Sequence, residues 1–107
     1  MSLRDSFDTN ATSRAREFSI EDYLKERVKY YGGKCYKLTS PGYAGMPDRL
    51  ILYNGVAVFV EVKRPGAKPR ALQEKRMDEI RQHGCLAFWV STREEVDRLM
   101  TRLVLNG

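Results

Sequence analysis

Val56-Ala57-Val58-Phe59-Val60-Glu61-Val62-Lys63 is the stretch that decides how this chain folds. Five of its eight residues are β-branched or aromatic, which is strand composition. Side chains alternate across a strand, so Val58, Val60 and Val62 share one face and Ala57, Phe59, Glu61 and Lys63 the other. Both faces begin apolar, as expected of a central strand covered on both sides. One face then ends in a carboxylate and an ammonium two residues apart. Charges at such a place are costly unless they are paired, bind metal or face a solvent cleft.

Just upstream, Asn54-Gly55 is a strong two-residue hairpin signal, and Arg49 to Tyr53 (RLILY) reads as the partner strand. Such a turn pairs residues whose numbers sum to about 109. Asp48, at the start of that partner, then falls opposite Glu61. Two carboxylates facing one another across adjacent strands repel, and a divalent cation relieves the repulsion. An oxygen-only donor set suits Mg²⁺ or Mn²⁺. Lys63 is then placed to orient or deprotonate an activated water and to stabilise charge on a phosphate.

Working outward, Ser19 to Asp22 fits a capping box and opens a helix. Ile20, Tyr23, Leu24, Val28 and Tyr31 recur at helical period, and Gly32-Gly33 stops it. Lys34 to Leu38 reads as a short strand, and Thr39 to Pro47 as a Gly/Pro-rich loop. Beyond Lys63, a basic loop enters a helix near Pro69 that ends at Gly84. Cys85 to Val90 reads as a buried strand. Thr92 to Glu95 caps a last helix with Val96, Leu99, Met100 and Leu103 on one face. The order is α-β-β-β-α-β-α, an α/β arrangement with a mixed sheet flanked by helices. Residues 1–16 are polar and aperiodic and are expected to be a flexible arm, leaving 17–107 as a single domain.

The 107 residues carry 19 Lys plus Arg against 14 Asp plus Glu, a net +5. Six of those bases (Lys63, Arg64, Lys68, Arg70, Lys75, Arg76) fall between Lys63 and Arg76 against one acid, Glu74; the rest of the chain is balanced. A basic wall beside an acidic pocket points to a phosphate backbone as partner, bound with strong salt dependence and little base specificity. Arg64, Lys68 and Arg70 are the candidate contacts, with Lys37 and Tyr43 approaching from the other side. The longest apolar run is the six residues Cys85 to Val90, against the roughly 20 needed to span a bilayer, and no secretory h-region is visible in residues 1–19. Cys35 and Cys85 show neither a disulfide framework nor zinc spacing and are expected to be buried thiols in a reducing, intracellular compartment.

Glu21 lies on the stripe of Leu24, Val28 and Tyr31, at the border of the inner face of its helix. Gln73 lies on the stripe of Met77 and Ile80, where its amide needs a partner. His83, beside Gly84, suits a helix C-terminus rather than a general base. Phe88 and Trp89 are expected in the core.

Pro47-Asp48 followed by Glu61-Val62-Lys63 resembles the PD-(D/E)XK nuclease signature. With Ile20-Glu21, Gly32 to Leu38, Gly45 to Leu50, Val58 to Gly66 and Gln73, the chain resembles the VRR-NUC family of virus-type replication-repair nucleases over about Phe18 to Leu99. The resemblance implies a restriction-endonuclease-like αβββαβ core, with the last helix added to it. It implies metal binding by Asp48, Glu61 and the Val62 carbonyl, with Glu21 in the same acidic cluster, catalysis by Lys63, and Gln73 in support. The expected activity is Mg²⁺- or Mn²⁺-dependent hydrolysis of DNA. Structure-selective cutting of branched DNA such as a four-way (Holliday) junction by a homodimer is favoured, in DNA repair or in a phage-infected bacterial cell. The rivals are a non-catalytic DNA-binding or assembly module on the same fold, and an RNA-directed nuclease.

Overall fold

The computed structural model describes residues 19–106. The expected arm, 1–16, lies outside the described residues. Seven elements follow: α1 (Ile20–Tyr30), β1 (Lys34–Lys37), β2 (Arg49–Tyr53), β3 (Val56–Val62), α2 (Ala71–Gln82), β4 (Leu86–Val90) and α3 (Arg93–Asn106). They form one sheet in the order β1-β2-β3-β4. The first two pairings are antiparallel, and the last is parallel, reached through the α2 crossover.

Local chemistry accounts for the boundaries. The Ser19 hydroxyl accepts from the Asp22 N–H at 3.1 Å while the Asp22 carboxylate accepts from the Ser19 N–H at 3.4 Å, a reciprocal cap. At α3, Thr92 accepts the Glu95 N–H at 3.1 Å, but the Glu95 carboxylate reaches past it to the Ser91 N–H at 2.7 Å. Asn54 (φ 49°) and Gly55 (φ 82°) take the left-handed conformations that a tight hairpin needs. The β2–β3 register runs from Tyr53↔Val56 to Arg49↔Val60, every pair summing to 109 as the turn predicts.

α1 and α3 cover one face of the sheet. There Leu24, Val28, Ile51, Val58, Val60, Val90, Val96, Leu99, Met100 and Leu103 bury a continuous core. α2 lies on the other face, where Met77 and Ala87 are buried, but it covers only the β3–β4 side. Tyr36 and Leu52 remain 50% and 40% exposed, and Ala57 is exposed. β3 is thus fully covered on one face and partly on the other, not on both as its composition suggests. β4, read as buried, is an edge strand with Leu86 exposed. Cys85 precedes it and is exposed, contrary to the expected buried thiol; Cys35 is half-buried. Phe88 is half-buried against the core, beneath the Arg102 guanidinium at 5.1 Å, and Trp89 is half-buried outside it. Among the described residues, no helix is long and apolar enough to cross a membrane.

Candidate active site

The hairpin brings Asp48 and Glu61 to one end of the sheet. Asp48 follows the fully buried Pro47 and immediately precedes β2. Its carbonyl accepts the Leu38 N–H at 2.9 Å, and its Oδ1 accepts the Val62 N–H at 3.3 Å. The side chain therefore reaches across to the strand that carries Glu61. Glu61 is 6% exposed; its Oε2 accepts from Gln73 Nε2 at 3.0 Å and lies 3.3 Å from Lys63 Nζ. Lys63 lies just past β3, and its N–H donates to the Val90 carbonyl at 2.8 Å. Backbone pairing to β4 thus continues beyond the strand and aims the lysine along the Glu61 face.

Both carboxyls are pushed above their ordinary range. For Glu61 the main cause is burial, then the Asp48 charge, opposed by Lys63 and Arg70. For Asp48 burial again leads and Glu21 adds to it, opposed by the Val62 N–H and by Lys37. The two acids are half-desolvated and one raises the other, and a hard divalent cation fits their oxygen donors. Among the described residues no group of three or more His, Cys, Asp or Glu side chains gathers in a metal-holding arrangement.

Glu21, the third acid, acts on Asp48 through its charge but has a partner of its own. Its Oε2 accepts from both Arg49 Nε (2.8 Å) and Nη2 (2.6 Å). Arg49, 8% exposed, shares the face of Ile51 toward α1, whereas Glu61 faces α2. A buried guanidinium requires a counter-ion, and α1 supplies it. Arg49 is a residue that reading the sequence missed. The signal was an arginine one position after Asp48, in phase with a buried isoleucine.

Gln73, the third residue of α2, is 8% exposed. Its Oε1 accepts the Arg70 N–H at 2.8 Å while its Nε2 holds Glu61. Arg64, Lys68, Arg70, Lys37 and Tyr43 are all exposed. Arg70 acts electrostatically on Glu61 and Lys37 on Asp48, so bases flank both acids. Arg76, counted in the basic run, is tied down. Its Nε donates to the Ala44 carbonyl at 2.9 Å, and Nη1 pairs with Glu79 at 3.3 Å. His83 caps the C-terminus of α2 and is exposed. A groove of about 700 Å³ between β4 and α3, lined by Phe88, Trp89, Arg98 and Arg102 among others, includes neither Asp48 nor Glu61 in its lining.

No protein-family model matches the chain. A curated relative, "Putative nuclease p44" of Acyrthosiphon pisum secondary endosymbiont phage 1, is 47% identical over 72 residues, 66% of this chain and 71% of that protein. A solved structure described as a VRR_NUC domain superposes with a TM-score of 0.70 at 37% identity, covering 76% of this chain and 89% of that one. A second, a VRR_NUC domain protein, gives 0.63 at 13% identity over 83% and 90%, a likeness of fold.

Proposed function

The chain belongs to the VRR-NUC family of nucleases, and we propose that it hydrolyses DNA phosphodiester bonds with Mg²⁺ or Mn²⁺ held by Asp48, Glu61 and the Val62 carbonyl. The observation that carries this reading is the set Asp48, Glu61 and Lys63 at one sheet end. The two carboxyls are raised by burial and by neighbouring acids, and the ammonium lies 3.3 Å from Glu61. The family likeness in fold and sequence supports it.

When bound, the cation supplies a Lewis acid for the phosphate and lowers the pKa of water in its shell. Lys63 orients the attacking water in line with the leaving oxygen and offsets the charge that develops on the phosphate. Gln73 fixes the Glu61 rotamer, and the Val62 N–H fixes that of Asp48. Arg64, Lys68 and Arg70 on one side, with Lys37 and Tyr43 on the other, hold the DNA backbone. These groups recognise phosphate and sugar more than base edges, which favours DNA shape over sequence. We extend the reading to branched substrates, a four-way junction foremost. Two symmetric cuts there require two sites, hence a homodimer.

The test is a labelled four-way junction, a duplex and an RNA of matching sequence, each incubated with Mg²⁺, with Mn²⁺ and with EDTA, using the intact protein and Lys63→Ala. Cleavage is expected only with metal and intact Lys63, on the junction before the duplex. Equal product in every arm removes the site assignment. Binding with no cleavage under any metal establishes a binding module, and preferential cutting of RNA changes the substrate class.

A further inference from the structure

The loop that delivers Asp48 is held by α2 at three points besides the bond that the Tyr43 hydroxyl donates to Glu79 Oε1 at 3.5 Å. The Arg76 guanidinium lies over the Tyr43 ring, 3.9 Å from its centroid, and Nε of the same group donates to the Ala44 carbonyl at 2.9 Å. At the third point Gly45 (φ +89°) presses on the helix so closely that an added Cβ would stand 2.8 Å from Leu72 Cγ and 3.1 Å from the Leu72 carbonyl. Pro47, two residues on, is fully buried, and Asp48 follows. Arg76 itself is only 15% exposed at its side chain, and its remaining charge is met by Glu79 at 3.3 Å. It is therefore poorly placed to meet a phosphate, although it sits in the basic run.

One turn earlier on the same helix, Gln73 holds Glu61. Residues three apart share a helix face. A single rigid face of α2 thus braces both acidic arms: Glu61 directly, and Asp48 through its loop.

We propose that Arg76 is a positioning residue for the reaction: it seats the Tyr43–Pro47 loop on α2 and so sets where Asp48 stands relative to Glu61. The proposal rests on the reading of Asp48 and Glu61 as the metal-holding pair. Its chemistry demands a planar fork, because one group stacks on an aromatic ring while donating in plane to a carbonyl. Lysine cannot do both.

The experiment uses the full chain and the variants Arg76→Ala, Arg76→Lys and Gly45→Ala, with the exposed bases Arg64, Lys68 and Arg70 unchanged throughout. Three quantities are measured: Mn²⁺ affinity without DNA, kcat at saturating DNA, and the salt dependence of DNA binding in Ca²⁺. Arg76→Ala and Arg76→Lys are expected to weaken Mn²⁺ binding and lower kcat by about 10- to 100-fold, with the salt slope unchanged. Gly45→Ala, which keeps every charge, is expected to fall in the same direction. If Arg76→Lys behaves as the original protein, or Arg76→Ala loses about one phosphate's worth of salt slope with Mn²⁺ affinity intact, Arg76 is a DNA contact and the proposal fails. Should Arg76→Ala not fold, Arg76→Lys and Gly45→Ala decide alone. Failure of the unsubstituted protein to bind Mn²⁺ or cut DNA would instead overturn the functional reading beneath it.

Discussion

Gln73 joins a helix end to a carboxylate with one amide: Nε2 donates to Glu61 at 3.0 Å while Oε1 accepts the Arg70 N–H at 2.8 Å. Gln73→Ala removes both bonds, and should cost about 1–3 kcal/mol of stability and roughly tenfold or more in cleavage rate. Gln73→Glu keeps the cap but turns a donor into a third negative charge. Its thermal midpoint should fall at neutral pH, and recover on acidification or on adding Mg²⁺. Melting curves at two pH values, with and without the metal, separate the two variants.

The raised carboxyls of Asp48 and Glu61 reverse the usual sign of carboxylate linkage. A carboxyl that holds its proton more tightly folded than unfolded contributes instability once ionised. That loss sets in as pH rises from the ordinary carboxylate range, about pH 4, through the raised folded values. Metal-free Asp48→Asn, which keeps an oxygen for the Val62 N–H, should therefore melt higher than the parent at pH 7 and no higher at about pH 3.5. Mg²⁺ should raise the parent's midpoint at pH 7 but leave the variant's unmoved. Calorimetry across pH checks both, and cleavage by Asp48→Asn should be lost.

Salt dependence distinguishes the basic residues from one another. Arg64→Ala, Lys68→Ala and Arg70→Ala should each lower the slope of log affinity against log salt by about 1. Binding in Ca²⁺, followed by fluorescence anisotropy, gives the slopes; an unchanged slope removes that residue from the interface.

The Glu21–Arg49 pair is the other electrostatic joint of the site. Glu21→Ala leaves a buried guanidinium without its counter-ion and should destabilise by about 1–3 kcal/mol, the lower end because the Glu21 side chain is a third exposed. Glu21→Gln, still an acceptor, should lose less. A double-mutant cycle with Arg49→Met, by urea denaturation, should show strong coupling; additive losses would mean that the bridge contributes nothing.

Much of this arrangement was legible from residue order. The hairpin register followed from Asn54-Gly55 alone, and placed Asp48 opposite Glu61 because a two-residue turn admits one pairing. Gln73 announced itself as a polar residue in phase with Met77. What stayed hidden depended on surroundings set far along the chain. An apolar run such as Leu86 to Val90 reads alike in a central or an edge strand, so the exposure of Cys85 and Leu86 could not be read locally. Arg76 looked like its basic neighbours until the Tyr43 loop, from well upstream in the chain, folded onto it. Glu21 reads as a member of the acidic cluster and does act on Asp48 through its charge, but its pairing with Arg49 depends on which face of β2 the arginine takes.

The tight turn between β2 and β3 also has a consequence in time. A hairpin closes in about 1–10 μs, whereas parallel pairing of β3 with β4 must wait for the chain to loop through α2. Asp48 and Glu61 are thereby joined by the most local pairing in the sheet, one that does not wait for α2 to dock. That hairpin bears a repulsive pair of acids, and Mg²⁺ should quicken its closure, a rate on the microsecond scale that temperature-jump relaxation reads directly.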